Sequence, residues 1–170
     1  MTTAHQTVPV ERFGRCAKLA WDHAVEAWRN PPLSRARAAV MTGHILLGVL
    51  QEPTCAGGLI LRKLGCDIDL MIDKTRFLLV YGRRHDGIEQ PLASWQDIPH
   101  TPQAMRVIEY CIDEANLFHA DYPVGTEHLL LGLLRVEDGM GNSLLRYFGL
   151  NEHRVRAARD TWWDVLKLTE

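Results

Sequence analysis

The chain contains an internal repeat with a shift of 84 residues. Residues 42–50 (TGHILLGVL) recur as residues 126–134 (TEHLLLGLL), and residues 61–65 (LRKLG) recur as residues 145–149 (LRYFG). A repeat constrains a fold strongly, because each copy forms a similar unit and neighbouring copies bury their apolar faces against each other. The sequence therefore predicts two similar halves within one domain.

An apolar stripe precedes each copy and extends the match upstream at a shift of 91 residues. Its spacing of i, +3, +4, +7, +8 and +11 is that of one helix face. The change from 91 to 84 predicts a seven-residue insertion in the first copy, where residues 30–32 (NPP) break the helix. The stripe consists of Phe13, Cys16, Ala17, Ala20, Trp21 and Ala24, and then of Ala104, Val107, Ile108, Cys111, Ile112 and Ala115.

Each copy is predicted to form four helices. Threonine, aspartate and asparagine favour N-cap positions, and glycine favours the residue after a helix. The second helix is apolar almost throughout, which predicts a place in the middle of its bundle. The first helices are predicted at about 10–28 and 102–118, the second after Thr42 and Thr126 as N-caps, the third ending at Gly65 and Gly149, and the fourth starting at Asp67 and Asn151.

The predicted organisation is an all-α domain of two four-helix repeats. Its divisions are an N-terminal tail at 1–9, the first repeat at 10–81, a linker loop at 82–100 and the second repeat at 101–170. No segment shows convincing strand alternation.

Charge and cysteine usage exclude several classes. With 19 Lys+Arg against 21 Asp+Glu, the net charge of −2 gives no reason to expect nucleic-acid or anionic-membrane binding. No apolar run reaches the roughly 18 residues that span a bilayer, and the N-terminus lacks signal-peptide features, so we expect a cytoplasmic protein. In this reducing compartment we expect no disulfide among the four cysteines, Cys16, Cys55, Cys66 and Cys111. Cys16 and Cys111 are interpreted as small buried hydrophobes.

The catalytic motifs that we sought are absent. No lysine follows a glycine as in a P-loop, no two histidines lie four apart, and Ser143 has no nucleophile elbow. The sequence predicts no enzyme, no cofactor and no metal site. His44 and His128 have two interpretations. They could form a paired ligand or acid–base site, or, as we favour, each could be a histidine whose hydrogen bonds are satisfied at the start of its helix. Glu127 is either stabilised by its helix dipole or available to a cationic group such as guanidinium.

Three segments carry a family resemblance: residues 123–135 (PVGTEHLLLGLLR), 98–109 (IPHTPQAMRVIE) and 10–13 (VERF). The chain resembles the N-terminal domain of the Clp/Hsp100 chaperone ATPases over about residues 10–168, and is most similar to the ClpC branch. The resemblance implies two pseudo-symmetric four-helix repeats joined by a loop. It also implies a non-catalytic role, in which the domain docks adaptors and substrates and passes them to an ATPase ring that feeds a peptidase.

The resemblance also implies site residues. Glu127 in the Gly-Thr-Glu-His motif, which includes Thr126, and Thr101 before a proline correspond to part of a pocket for phosphorylated arginine. Gly43 stands where the first copy would have the glutamate, so its pocket is expected to be weak or lost. Met105 stands where the family often has lysine on the phosphate-binding side.

A second family ligand is a cyclic-peptide antibiotic, which aromatic residues bind in a groove between the repeats. Val10 and His100 occupy the corresponding positions here. The predicted function is docking of a Clp ATPase, adaptors or substrate polypeptides. The alternative is scavenging of a cyclic peptide or other small molecule. No ATPase module follows residue 170, so a free-standing Clp N-domain protein is expected, with a piece of a longer ATPase as the alternative.

Overall fold

The computed structural model describes residues 10–30, 39–82, 98–118 and 120–162, together with the backbone of residues 93–95. Within these ranges no helix is long and apolar enough to cross a membrane. The elements are a 3-10 turn at Val10–Arg12, α1 (Arg15–Arg29), α2 (Thr42–Leu50), α3 (Ala56–Lys63), α4 (Ile68–Tyr81), β1 (Ala93–Trp95), β2 (Ile98–His100), α5 (Pro102–Asn116), α6 (Thr126–Arg135), α7 (Met140–Tyr147) and α8 (Glu152–Thr161).

The predicted all-α fold of two four-helix repeats is confirmed, with α1–α4 in the first repeat and α5–α8 in the second. One expectation about the linker was wrong. β1 and β2 pair antiparallel, with Ala93 opposite His100, so the end of the predicted linker loop is a short hairpin. The predicted tail at 1–9, the linker positions 83–92 and 96–97, and the last eight residues of the chain lie outside the described residues.

The first helices of the two repeats correspond at a shift of 87 residues, not 91. Their N-caps are Gly14 and Thr101, and they end at Arg29 and Asn116. The predicted shift of 91 residues was therefore wrong by four residues, or about one helical turn. An apolar stripe with helical spacing matches itself again after four residues, so the stripe alone does not distinguish the two shifts. The first copy therefore has three extra residues before α2, and these fall between α1 and Val40.

The two repeats are joined by backbone hydrogen bonds at two short extended segments. Val40, before α2, forms hydrogen bonds with the backbone on both sides of His100 in the second repeat. Val124, before α6, forms the equivalent bonds with the backbone on both sides of Phe13 in the first repeat. The four N–H···O distances lie between 2.7 and 2.9 Å. Each repeat thus supplies a strand partner that the other needs.

The motif threonines were predicted as N-caps of their own helices, and this was wrong. Each is the first residue inside its helix, and the preceding residue is the N-cap. The Thr126 hydroxyl instead accepts a hydrogen bond from the Gly57 N–H of α3 at 2.8 Å, and the Thr42 hydroxyl accepts one from the Gly141 N–H of α7 at 3.1 Å. Each threonine therefore caps a helix of the other repeat, satisfying a donor that the helix leaves unpaired.

Helices α2 and α6 occupy the middle of the structure, as the sequence predicted, and nearly all of their residues are buried. One glycine in each permits a close helix crossing. A Cβ at Gly48 would overlap the Ala20 carbonyl oxygen, and a Cβ at Gly132 would lie 2.7 Å from the Val107 carbonyl oxygen. These two crossings are equivalent, which confirms the shift of 87 residues for α1 and α5.

The cysteines depart from the prediction. Cys16 and Cys55 form a disulfide, with their Cα atoms 6.1 Å apart, so Cys16 is not a free hydrophobe. A sequence separation of 39 residues hid this pair, because α3 brings its N-cap, Cys55, against the first turn of α1. Cys111 is free and buried, as predicted, and its thiol lies 3.0 Å from the Ile108 carbonyl oxygen. Burial raises the pKa of Cys111 far above its usual value.

Candidate functional site

Glu127 is the second residue of α6, and only 3% of its surface is exposed. Its carboxylate folds back over the start of its own helix, where a Cβ at Gly125 would clash with it. The glycine of the motif therefore makes the space that the carboxylate occupies. A negative charge in the first helical turn is stabilised by the helix dipole, which offsets part of the cost of burying this acid.

A second helix N-terminus meets the same place. Gly57, the second residue of α3, donates its N–H to Thr126, and a Cβ there would lie 3.0 Å from the Thr126 carbonyl oxygen. The amide ends of α3 and α6 thus converge beside Glu127. Two positive dipole ends at one carboxylate favour its charged form more than one would.

His128 completes the start of α6. Its ring is fully buried, and Nδ1 accepts a hydrogen bond from the Gly125 N–H at 2.9 Å. Glu127 Oε1 lies 3.3 Å from the same nitrogen, but this is not an ion pair, because an acceptor Nδ1 has no proton to donate. Burial, with a smaller effect of the Arg159 charge, lowers the pKa of His128 to about 3.

His44 repeats this arrangement in the first copy, where its Nδ1 accepts from the Met41 N–H at 3.0 Å. Both histidines therefore follow the interpretation that we favoured, as residues satisfied at a helix start. In each ring Nδ1 is bonded to the start of its own helix, which is the arrangement of a histidine that stabilises a helix N-terminus.

The corresponding position in the first repeat is filled with apolar atoms. A Cβ at Gly43 would lie 2.7 Å from Met140 Sδ and 3.0 Å from Leu79 Cδ2. Met140 begins α7 as Ala56 begins α3, so a large residue stands opposite Gly43 and a small one stands at the N-terminus that meets Glu127. Any side chain at position 43 would require Met140 or Leu79 to move.

Thr101 is buried at the N-cap of α5, where its hydroxyl accepts a backbone N–H of the first turn at 3.2 Å. Its own N–H bonds to Val40, in the segment that leads into Gly43. The segment that leads into Glu127 is bonded to Gly14 instead. The structure therefore joins Thr101 to the Gly43 side and Gly14 to the Glu127 side, which differs from the predicted grouping of Thr101 with Glu127.

The remaining predicted residues are mostly internal. Met105 is 8% exposed and lies one turn after Thr101 in α5. His100 is fully buried and stacks on Trp21 with ring centroids 5.3 Å apart. Val10 is half-buried at the 3-10 turn and packs against the core. Of the six predicted site residues, only Val10 presents appreciable surface to solvent.

The structure also describes features that the motifs did not indicate. A cleft of about 420 Å³ opens between α2, α3 and α4 and contains none of the predicted site residues; Arg62, Cys66 and Asp69 are among its lining residues. In the described parts of the chain, no group of three or more His, Cys, Asp and Glu side chains could hold a metal ion.

Comparison with known proteins finds a family model, sequence relatives and a solved structure that match this chain. The family model described as the Clp repeat (R) N-terminal domain, Clp_N, matches residues 32–148. The ATP-dependent Clp protease ATP-binding subunit ClpC of Staphylococcus aureus (strain USA300) is 34% identical over 116 residues, and the protein of the same name from Staphylococcus epidermidis (strain ATCC 12228 / FDA PCI 1200) is 33% identical. In both cases the match covers 68% of this chain and 13% of the relative.

The fold has a solved counterpart. The N-terminal domain of the caseinolytic protease associated chaperone ClpD from Arabidopsis thaliana superposes with a TM-score of 0.67 at 24% identity, covering 92% of this chain and 97% of that one. The family match includes α2 through α7 and both copies of the motif. The chain belongs to the Clp_N family of Clp repeat N-terminal domains.

Proposed function

We propose that the chain is a non-catalytic binding module that docks adaptor proteins or substrate polypeptides and modulates a Clp chaperone–protease. The observation that carries the proposal is the family match, which spans both repeats and includes the Gly-Thr-Glu-His motif at the start of α6. The ClpC relatives are named as ATP-binding subunits of a Clp protease. Their ATPase ring is accordingly the proposed partner, together with the adaptors and substrates that reach it.

The finer proposal is that Glu127 receives a guanidinium group, as in arginine-phosphorylated proteins. A carboxylate complements guanidinium through charge-assisted hydrogen bonds. Helix N-termini favour phosphate, and three of them lie close by: those of α3 and α6, and that of α1, whose N-cap Gly14 is bonded to Val124 and provides no side-chain cap. Because Glu127 is almost fully buried, ligand binding requires the surrounding helix ends to move apart.

Calorimetric titration with a peptide that carries phosphorylated arginine tests the role of Glu127. We expect Glu127→Gln, which keeps the shape and removes the charge, to weaken binding at least tenfold, or about 1.4 kcal/mol. Glu109→Gln, at an exposed position of α5, is the matched control and should bind as the wild type does. Equal affinity of the wild type and both Glu127→Gln and Glu127→Ala would refute this role.

Docking itself is tested separately with a Clp ATPase. The purified chain should be retained by an immobilised ClpC-type ATPase or its adaptor, and should change the rate at which the assembled protease degrades a model substrate. Absence of both effects at micromolar concentrations would argue against the module as a whole.

The scavenger alternative predicts a different result, namely that a cyclic peptide raises the melting temperature by ligand linkage. His100, one of the two residues at the corresponding groove positions, is buried against Trp21, so its ring is not open to such a ligand.

A further inference from the structure

The Cys16–Cys55 disulfide lies beside the candidate site. Cys16 is in the first turn of α1, and Cys55 is the N-cap of α3. These two helix ends are the ones that the second repeat contacts at the start of α6. Gly14, two residues before Cys16, is bonded to Val124, and Gly57, two residues after Cys55, is bonded to Thr126.

The contacts form a closed triangle of helix N-termini around Glu127. The α1–α6 side is a backbone bond of 2.9 Å, the α3–α6 side is the threonine cap of 2.8 Å, and the α1–α3 side is the disulfide. Only the third side is covalent, and it belongs wholly to the first repeat. Movement of α3 away from α1 would therefore break the cap on Thr126 and uncover the adjacent carboxylate.

The pseudo-symmetric position has no such bond. Gln103 corresponds to Cys16 and Gly139 corresponds to Cys55, so the side that contains Gly43 has no sulfur pair. Gln103 instead donates a hydrogen bond to Asp138 at 3.2 Å. The covalent tie is thus present only on the side of the molecule that retains the glutamate.

The disulfide lies beside an exposed turn on its Cys55 side. Both sulfurs are buried, but Cys55 follows the turn at 51–54, where Thr54 is exposed. The Glu52 carboxylate lies 3.8 Å from Cys55 Sγ, and the His23 ring, itself partly exposed, pairs with that carboxylate at 2.9 Å. A thiol that reaches this turn would approach the disulfide from the Cys55 side.

We propose that Cys16–Cys55 is a redox lock on the Glu127 site: the disulfide holds the three helix ends closed, and its reduction releases α3 and exposes the carboxylate. Two molecules of a thiol such as glutathione supply the two electrons and two protons. The Cys16 and Cys55 thiols form, and the glutathione leaves as its disulfide. Disulfides in thiol-rich compartments are commonly transient or regulatory, which fits such a lock. Only the consequence for ligand binding rests on the proposed function.

Amide hydrogen exchange on the intact chain, oxidised and reduced, tests the lock without any ligand. We expect reduction to accelerate exchange of the Gly57 amide at least tenfold, while the equivalent Gly141 amide changes less than twofold. The variant Cys16→Ala/Cys55→Ala should behave as the reduced chain does under both conditions. Cys66→Ala, which leaves the disulfide intact, should behave as the wild type does.

Three results would overturn the proposal. They are full alkylation of Cys16 and Cys55 in the chain after air oxidation, equal acceleration at Gly57 and Gly141, and unchanged exchange at both. A carbodiimide-labelling experiment adds a direct readout, since Glu127 should be modified faster in the reduced chain than in the oxidised chain. If exchange responds as expected but Glu127→Gln does not alter binding of the phosphorylated peptide, the lock stands and the ligand assignment fails.

Discussion

Thr126→Val should destabilise the protein by removing the cap that the second repeat provides to α3. The substitution is nearly isosteric, so packing changes little, but the Gly57 N–H loses its acceptor in a buried position. An orphaned buried donor costs about 1–3 kcal/mol, and loss of a helix cap about 0.5–2 kcal/mol. We therefore expect a loss of about 1.5 kcal/mol, or a fall of roughly 3–6 °C in melting temperature for a chain of this size.

The assay is urea denaturation followed by circular dichroism, with Thr75→Val as the matched control. Thr75 is equally buried, but its hydroxyl donates to the Met71 carbonyl of its own helix, so the control strands no backbone N–H. It should cost less than about 0.5 kcal/mol. Exchange of the Gly57 amide provides the local measurement and should accelerate only in Thr126→Val. Unfolding of the two variants at the same urea concentration, with the Gly57 amide unaffected, would show that Thr126 does not stabilise α3 as a cap.

Three further perturbations address the core, a buried ion cluster and the pH dependence. Gly48→Ala should cost at least about 3 kcal/mol and Gly132→Ala about 2 kcal/mol, because the first overlaps a backbone oxygen more severely; similar melting temperatures would contradict this order. Glu114→Gln should lower the free energy of unfolding, measured by urea denaturation, by about 2–3 kcal/mol, because its buried carboxylate pairs with two arginines. The matched control is Asp113→Asn at an exposed position, which should change this free energy by less than about 0.5 kcal/mol. Folding lowers the pKa of His128 to about 3 from its ordinary value of 6.5, so the unfolded chain binds more protons between these values. The free energy of unfolding therefore falls as the pH drops through that window. We expect the wild type to lose about 2 kcal/mol more between pH 7.5 and 5 than His128→Gln, which keeps a capping acceptor but does not titrate; equal pH profiles would contradict the burial of a neutral ring.

The sequence predicted the helices well because apolar periodicity and capping residues are local signals. It predicted the register of α1 against α5 poorly for the same reason. A stripe of small and apolar residues matches itself after one turn, and the tertiary structure, for example the crossing at Gly48 and Ala20, distinguishes the two alignments. The glycines at positions 48 and 132 match in the repeat, but the residues of the first helices that they contact are set by tertiary packing.

Interactions between the repeats could not be predicted from local pattern. A threonine before an apolar run looks the same whether it caps its own helix or, as Thr126 does, another helix 69 positions away. The Cys16–Cys55 pair is equally non-local. The prediction of Glu127 as a first-turn carboxylate is confirmed, but its burial and the approach of the α1 and α3 N-termini to the start of α6 depend on tertiary packing.

The exchange of caps between repeats has a consequence for biosynthesis. Gly57 leaves the ribosome 69 residues before the threonine that caps its helix, and Thr42 precedes its partner Gly141 by 99 residues. At roughly 5–20 residues per second, α3 waits about 3–14 s during translation for its acceptor. The nascent first half therefore lacks part of its native hydrogen bonding, and we expect it to complete its fold only when the second half has emerged and supplies these contacts.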